Sequence, residues 1–359
     1  MSVKALPAIA AIEAYKGGES TLPGFDKPIK LASNETPFGP SPKARAAYAE
    51  AAAKLHLYPD GGHTKLRAAI AGRYGLDPAR LICGAGSDEI FFLLARAFLG
   101  PGDEVIETEH AFGIYSIVSK QSGAVVNIAK DRGMECDVDA MLALVTPRTR
   151  IVWLANPNNP TGTYLPFSEV RRLHAGLPDN VLLVIDAAYA EFVRRNDYSS
   201  GLELASEFDN VIMTRTFSKI YGLAAARLGW GYGPPSVIEA LNKTRGPFNL
   251  STPAMMAGIA AIEDQDFMEK TADHNDVELP RVTASLREMG LDVTDSVANF
   301  VLVHFKPGEA AKADAYLRSK GYILRAMHSY KMPDALRMSI GTVEENSGAL
   351  AVLKEFMSK

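Results

Sequence analysis

The sequence predicts an α/β protein: a large three-layer α/β/α unit around a mostly parallel sheet, followed by a smaller α+β unit. Three observations carry this. Between residues 81 and 214, short apolar runs such as VLLVID alternate with amphipathic helical stretches, the pattern of buried parallel strands joined by crossover helices. After Pro253 a helical pattern runs to about Met289. Beyond it the character changes, with strands near 299–304, 322–325 and 336–340 and helices at 309–319 and 344–356. A chain of 359 residues holds two domains at roughly 100–200 residues each. The boundary is expected within the long helical region, near residues 250–280.

Composition narrows the function. Hydrophobic residues make up 47% and charged residues 22%, enough for a full core. A net charge of −4 argues against nucleic acid or an anionic membrane as partner. The 2 cysteines, Cys83 and Cys136, form neither a disulfide framework nor a metal motif. With no cleavable signal at the start and no apolar run near ~18 residues, the expectation is a cytoplasmic protein off the membrane.

Residues 1–33 read as an arm and a loop, because Gly17, Gly18, Pro23, Gly24 and Pro28 oppose regular structure. In LASNETPFGPSP (31–42), prolines and a glycine hold Asn34 and Glu35 on a constrained turn. Ser41 and Pro42 then start a helix to about Leu55. LYPDGG (57–62) is a loop displaying Tyr58, and Thr64 is expected to cap a helix to about Tyr74. A strand at 81–83 meets the glycine turn GAGSDE (84–89), from which Ser87 starts a helix to Leu99. Strands follow at 104–107, 124–128, 149–155, 181–186 and 210–214, with helices at 112–122, 137–145 and 168–175.

Four stretches carry chemistry. Thr214 to Trp230 reads TRTFSKIYGLAAARLGW; Lys219 sits among Thr214, Thr216 and Ser218, and Arg227 follows after small apolar residues. A lysine lifted out of water is a usable nucleophilic amine, and hydroxyls with a planar guanidinium suit a phosphate. An imine-forming amine beside a phosphate site suggests pyridoxal phosphate; a buried turn with a surface lysine accounts for the stretch equally well. NPNNPTG (156–162) is a turn after a strand, with Asn159 where open sheets place ligand-contacting groups. Asp186 ends VLLVID before Ala187, Ala188 and Tyr189. Alone it reads first as a helix cap, yet a carboxylate there can also pair with a pyridinium nitrogen. GAGSDE puts Ser87 and Asp88 at a helix N-terminus that favours a phosphate, a weak signal by itself.

In this order, NPNNPTG, DAAY, TRTFSK and the arginine of LAAARLGW resemble the fold-type-I pyridoxal-phosphate aminotransferases. LASNETPFGP, LYPDGG and the terminal LRMSIGT narrow the resemblance to the histidinol-phosphate aminotransferase family, over nearly the whole chain. The resemblance implies residues 1–33 as an arm and part of the small domain, 34–255 as the large cofactor-binding domain and 256–359 as the small domain. It implies pyridoxal phosphate as cofactor, with Lys219 holding it as a Schiff base and then shuttling the proton between Cα and C4′. Asp186 would meet the ring nitrogen; Asn159 and Tyr189 the phenolic oxygen; Phe112 the ring face. Ser87, Asp88, Thr216, Ser218 and Arg227 would hold the phosphate. Tyr58 would reach the phosphate of a neighbouring subunit, making the active unit a homodimer. Arg337 would bind the donor's carboxylate, Arg325 the phosphate end of histidinol phosphate, and Asn34 would join them at the substrate.

The chain departs from the family pattern at HAFGIY (110–115), where many relatives have proline and tyrosine at the positions of His110 and Phe112. Phe112 can stack but lacks a hydroxyl. The expected reaction converts L-histidinol phosphate and 2-oxoglutarate to imidazole-acetol phosphate and L-glutamate, in histidine biosynthesis. An aromatic amino-acid aminotransferase and a phosphothreonine-type decarboxylase share the scaffold. A DNA-binding regulator would want a basic N-terminal segment, and a nicotinamide dehydrogenase a G-x-G-x-x-G fingerprint; the chain has neither.

Overall fold

The computed structural model describes residues 3–15 and 17–359; Met1, Ser2 and Lys16 lie outside the described residues. In chain order its strands are β1 (Ile29–Leu31), β2 (Leu81–Gly84), β3 (Glu104–Thr108), β4 (Val125–Ala129), β5 (Thr149–Ala155) and β6 (Leu182–Asp186), then β7 (Val211–Thr216), β8 (Gly229–Tyr232), β9 (Asp292–Val293), β10 (Phe300–His304), β11 (Tyr322–Ala326) and β12 (Ala335–Ser339). They form two sheets, one of 7 strands in the order β2-β8-β7-β6-β5-β3-β4 and one of 5 in the order β1-β11-β12-β10-β9.

The larger sheet is mostly parallel, as expected, with β8 antiparallel to both its neighbours. Strands β3, β6 and β7 are buried along their whole length, which is why they read as near-continuous apolar runs. Separate apolar clusters cover the two sides of this sheet. The smaller sheet packs its own cluster, including Val282, Leu286, Val301, Leu317 and Leu353, against the helices Gln265–Glu288, Glu309–Ser319 and Val343–Met357.

Several local expectations change. The arm contains a helical turn, Pro7–Ala10, and β1, which pairs in parallel with β11. Three residues after a proline carry no strand signal of their own; the partner 293 positions along supplies it (322 − 29). Strand β8, GWGY, was also not expected, since glycine weakens strand propensity. Gly229 is required there: a Cβ would lie 2.4 Å from the Ser87 backbone nitrogen. Thr64 is the first helical residue rather than the cap, and its N–H is held by Asp60 Oδ2 at 2.7 Å. The long helical region is two helices, Thr252–Glu263 and Gln265–Glu288, broken at Asp264, whose carboxylate accepts from Lys43 at 2.9 Å. Helices Leu202–Glu207 and Pro235–Thr244 were not assigned from the sequence. Ser41 does cap Pro42–Ala51, its hydroxyl accepting from the Ala44 N–H at 3.1 Å.

Candidate active site

The segments leaving the carboxyl ends of β3, β5, β6 and β7 and the side chains of β11 and β12 line one cavity of about 220 Å³. Open parallel sheets bind ligands at that end. Every residue to which the resemblance gives a role lines it, except Tyr58.

At one side, Lys219 Nζ donates to the Ser33 carbonyl at 3.2 Å and lies 5.5 Å from the centre of the Tyr189 ring. The lysine loop can settle against the Gly39–Pro40 turn only because Gly222 has φ +66 and no side chain; a Cβ there would lie 2.3 Å from the Gly39 carbonyl oxygen.

Next to it is a cradle of donors. The helix Ser87–Phe98 begins at the cavity, and the N–H groups of a first turn have no intrahelical partner. Gly86, at φ +81, lets the Arg227 guanidinium lie against the turn, since a Cβ would sit 2.4 Å from Nη2. Arg227 donates to Ser218 Oγ at 3.4 Å, to the Ala224 carbonyl at 3.0 Å and to Asp88 Oδ2 at 3.1 Å. Thr216 Oγ1 accepts from the Ser218 N–H at 3.1 Å, tightening the same turn.

On the floor, Asp186 ends β6 as expected. Its Oδ2 accepts from the Tyr115 hydroxyl at 2.6 Å and its Oδ1 from Thr214 Oγ1 at 3.3 Å. Burial pushes this carboxyl up to about 6; the bonds from Tyr115, Thr214 and the Ala188 backbone pull it down, while Asp88 adds to the rise. Phe112 stands beside the floor, edge-on to Tyr115 at 5.8 Å and to Tyr15 at 6.3 Å.

The small sheet closes the other side. Asn34 has φ 55, a left-handed conformation that asparagine tolerates. Its Nδ2 donates to Tyr189 Oη at 2.9 Å and its Oδ1 accepts from Ser339 Oγ at 3.2 Å, so one side chain ties the DAAY turn to β12. Arg337, 6% exposed, donates to Asn159 Oδ1 and to the Ala32 carbonyl at 3.1 Å, leaving its buried Nε without a protein partner. Burial works against its charge, Tyr189 and Tyr330 favour it, and Arg325 opposes it. Arg325 and Arg337 are directly opposed in the antiparallel β11–β12 pair, and Arg325 Nη1 also donates to the Gly17 carbonyl at 2.6 Å. Two cations at opposed positions of one sheet face repel, so a cavity lined by both favours an anion.

Tyr58 is elsewhere: 84% exposed and stacked on Phe248 with ring centres 4.8 Å apart. Sequence reasoning missed Tyr115, Tyr15, Tyr330 and Ser339. For Tyr115 a signal existed, since a tyrosine in an apolar helical stretch is buried and seeks a partner for its hydroxyl. Tyr15 reaches the cavity, and Ser339 reaches Asn34 beside it, through contacts no local pattern encodes. Among the described residues no cluster of side chains could hold a metal ion, and no helix is long and apolar enough to cross a membrane.

Comparison with known proteins agrees with this geometry. The family described as aminotransferase class I and II matches residues 26–353. A histidinol-phosphate aminotransferase of Rhodopseudomonas palustris (strain BisB5) is 54% identical over 358 residues, 98% of each chain. One from Nitrobacter winogradskyi is 52% identical over 357 residues, again 98% of each. The crystal structure of histidinol-phosphate aminotransferase from Sinorhizobium meliloti in complex with pyridoxal-5'-phosphate superposes with a TM-score of 0.90, over 100% of this chain and 98% of that one, at 27% identity. With the family matched across most of its length and relatives matched end to end, the chain belongs to the class I and II aminotransferases and, within them, to the histidinol-phosphate aminotransferase family.

Proposed function

We propose that the chain is a pyridoxal-phosphate enzyme that transfers the amino group of L-histidinol phosphate to 2-oxoglutarate, giving imidazole-acetol phosphate and L-glutamate. The cavity fits the cofactor: the helix start at Ser87, the Gly86 turn, Thr216, Ser218 and Arg227 suit its phosphate, and a buried carboxylate suits its ring nitrogen. When bound, pyridoxal phosphate supplies a carbonyl that takes up the amino group and a protonated ring that draws electrons from Cα.

The protein's residues do the rest. Lys219 Nζ would hold the cofactor and then serve as the base that carries the proton leaving Cα. Asp186 would hold a proton on the ring nitrogen. Tyr189 and Asn159 would hold the phenolic oxygen, each oriented by a partner already in place, Asn34 and Arg337. Phe112 would cover one ring face. Arg337 and Arg325 bind the anionic ends of the two substrates, with Asn34 alongside. The opposed arginine pair is the observation that carries this choice of substrate, because histidinol phosphate and glutamate both bring anionic groups for it.

The same reading includes a homodimer acting in the cytoplasm on small molecules. Tyr58, with the exposed Leu55, Leu57 and Phe248 around it, would dock on a second copy and reach that copy's phosphate cradle. The reading keeps a large domain over 34–255 and a small one over 256–359, and the packing of the helix Thr252–Glu263 on Pro42–Ala51 and Thr64–Tyr74 favours counting that helix with the large one.

The test is a panel of half-reactions. The pyridoxal-phosphate form is mixed separately with histidinol phosphate, glutamate, phenylalanine and tyrosine, following the cofactor's absorbance. Histidinol phosphate and glutamate should convert it fastest. Outright preference for phenylalanine or tyrosine replaces this reading with an aromatic amino-acid aminotransferase.

A further inference from the structure

Behind the cavity floor, Tyr115 donates to Asp186, and the chemistry above assigns it no task. It stands in the first turn of the helix Ile114–Gln121 and is 0% exposed. Its ring stacks on Trp153 with centres 5.3 Å apart and planes 1° apart, while Phe91 and Phe112 meet it edge-on at 5.2 and 5.8 Å. Trp153 is pinned in turn, its Nε1 donating to Ser119 Oγ at 3.1 Å in that helix. The ring is therefore held on three sides, and its hydroxyl is delivered to Asp186 Oδ2 at 2.6 Å. The bond to this carboxylate from Thr214 is longer, 3.3 Å, and the Ala188 N–H faces it too. A buried carboxylate on a short side chain takes its orientation from the donors around it, and the shorter charge-assisted bond dominates.

We propose that Tyr115 is a positioning residue for Asp186, its hydroxyl fixing the orientation in which the carboxylate meets a ring nitrogen in the cavity; the inference rests on the cofactor reading above. Asp186 is faced by Tyr115, by Thr214 of β7, by the Ala188 N–H of its own turn and by Asp88 of the helix Ser87–Phe98. Tyr115 is faced also by Glu107 of β3 and by Tyr189, and burial keeps it protonated. It is thus the donor, and a donor beside a carboxylate favours the ionised form. Because Phe112 leans on the same ring, one tyrosine sets both the floor and the wall of the cavity.

Tyr115→Phe removes the oxygen and keeps the ring on Trp153. In protein free of cofactor, the carboxylic-acid infrared band of Asp186 is isolated as the difference between wild type and Asp186→Asn. In Tyr115→Phe this band should appear at a pH about one unit higher than in wild type. Affinity for pyridoxal phosphate, titrated by intrinsic fluorescence, should fall about tenfold. Placing 3-fluorotyrosine at position 115 keeps the ring and makes a stronger donor, so the band should move the opposite way. That substitution decides the matter if Tyr115→Phe does not fold. A band unmoved by both changes means Tyr115 only packs, and overturns the proposal. Failure of the wild type to bind pyridoxal phosphate overturns the cofactor reading instead, and the infrared shifts still decide whether Tyr115 governs Asp186.

Discussion

Removing one arginine of the opposed pair should separate the substrates by where they carry charge. Arg337 has two guanidinium nitrogens committed, Nη1 to Asn159 and Nη2 to the Ala32 carbonyl, and a buried Nε with no partner among the described residues. Arg325 stands across the ladder from it. Losing one charge-assisted arginine bond to an anion costs about 1.5–3 kcal/mol, or roughly tenfold to a hundredfold in affinity. Arg325→Ala should lower kcat/KM for histidinol phosphate and glutamate by that factor and largely spare phenylalanine, which brings neither a phosphate nor a side-chain carboxylate. Arg337→Ala should lower all three, because each donor brings a carboxylate or a phosphate to that position. Arg337→Lys should recover little, since an ammonium cannot reproduce the planar fork that already holds Asn159 and Ala32. The assay is kcat/KM for the three donors in wild type and the three variants, with melting temperatures to confirm folding. If Arg325→Ala costs phenylalanine as much as histidinol phosphate, Arg325 does not read the phosphate and the reasoning fails.

Three further outcomes follow from the same geometry. Lys219→Ala should abolish turnover and the borohydride-reducible link to pyridoxal phosphate while the melting temperature holds; near-normal transamination would remove Lys219 from its role. In heterodimers of Tyr58→Phe with Lys219→Ala subunits, the site that keeps Lys219 would receive Tyr58 from the other chain and regain cofactor affinity, and no recovery would place Tyr58 outside the partner's site. His63, 2% exposed, is pushed down to about 4 by burial, with Arg245 nearby adding to the fall. Its folded value lies below the ordinary histidine value of 6.5, so the unfolded chain binds the extra proton first. The stability tied to it is fully present above about pH 6.5 and is lost as pH falls towards 4, by up to about 3 kcal/mol. Urea unfolding of wild type and His63→Asn across this range should converge at acid pH, asparagine being suited to the left-handed backbone there; parallel curves would refute the linkage.

What the sequence determined by itself is what short-range chemistry encodes. Ser41-Pro42 starts a helix because a hydroxyl and a fixed φ do so wherever they occur. VLLVID reads as a buried strand ending in Asp186 because a strand covered on both faces must be apolar throughout. NPNNPTG, DAAY and TRTFSK each lie at or just past the carboxyl end of a strand, so their functional side chains all emerge at one end of a parallel sheet. The tertiary structure decided the pairings between distant residues. Strands β1 and β8 have poor propensity and exist because β11, and β2 with β7, supply their hydrogen bonds. Asn34 can link Tyr189 to Ser339 only once both sheets are in place, across 155 and 305 positions of chain. Arg325 and Arg337 become a pair through the antiparallel register of β11 and β12, which a one-residue slip would turn to opposite faces. Tyr115 reaches Asp186 because aromatic packing on Trp153 aims its hydroxyl, and no spacing along the chain carries that direction.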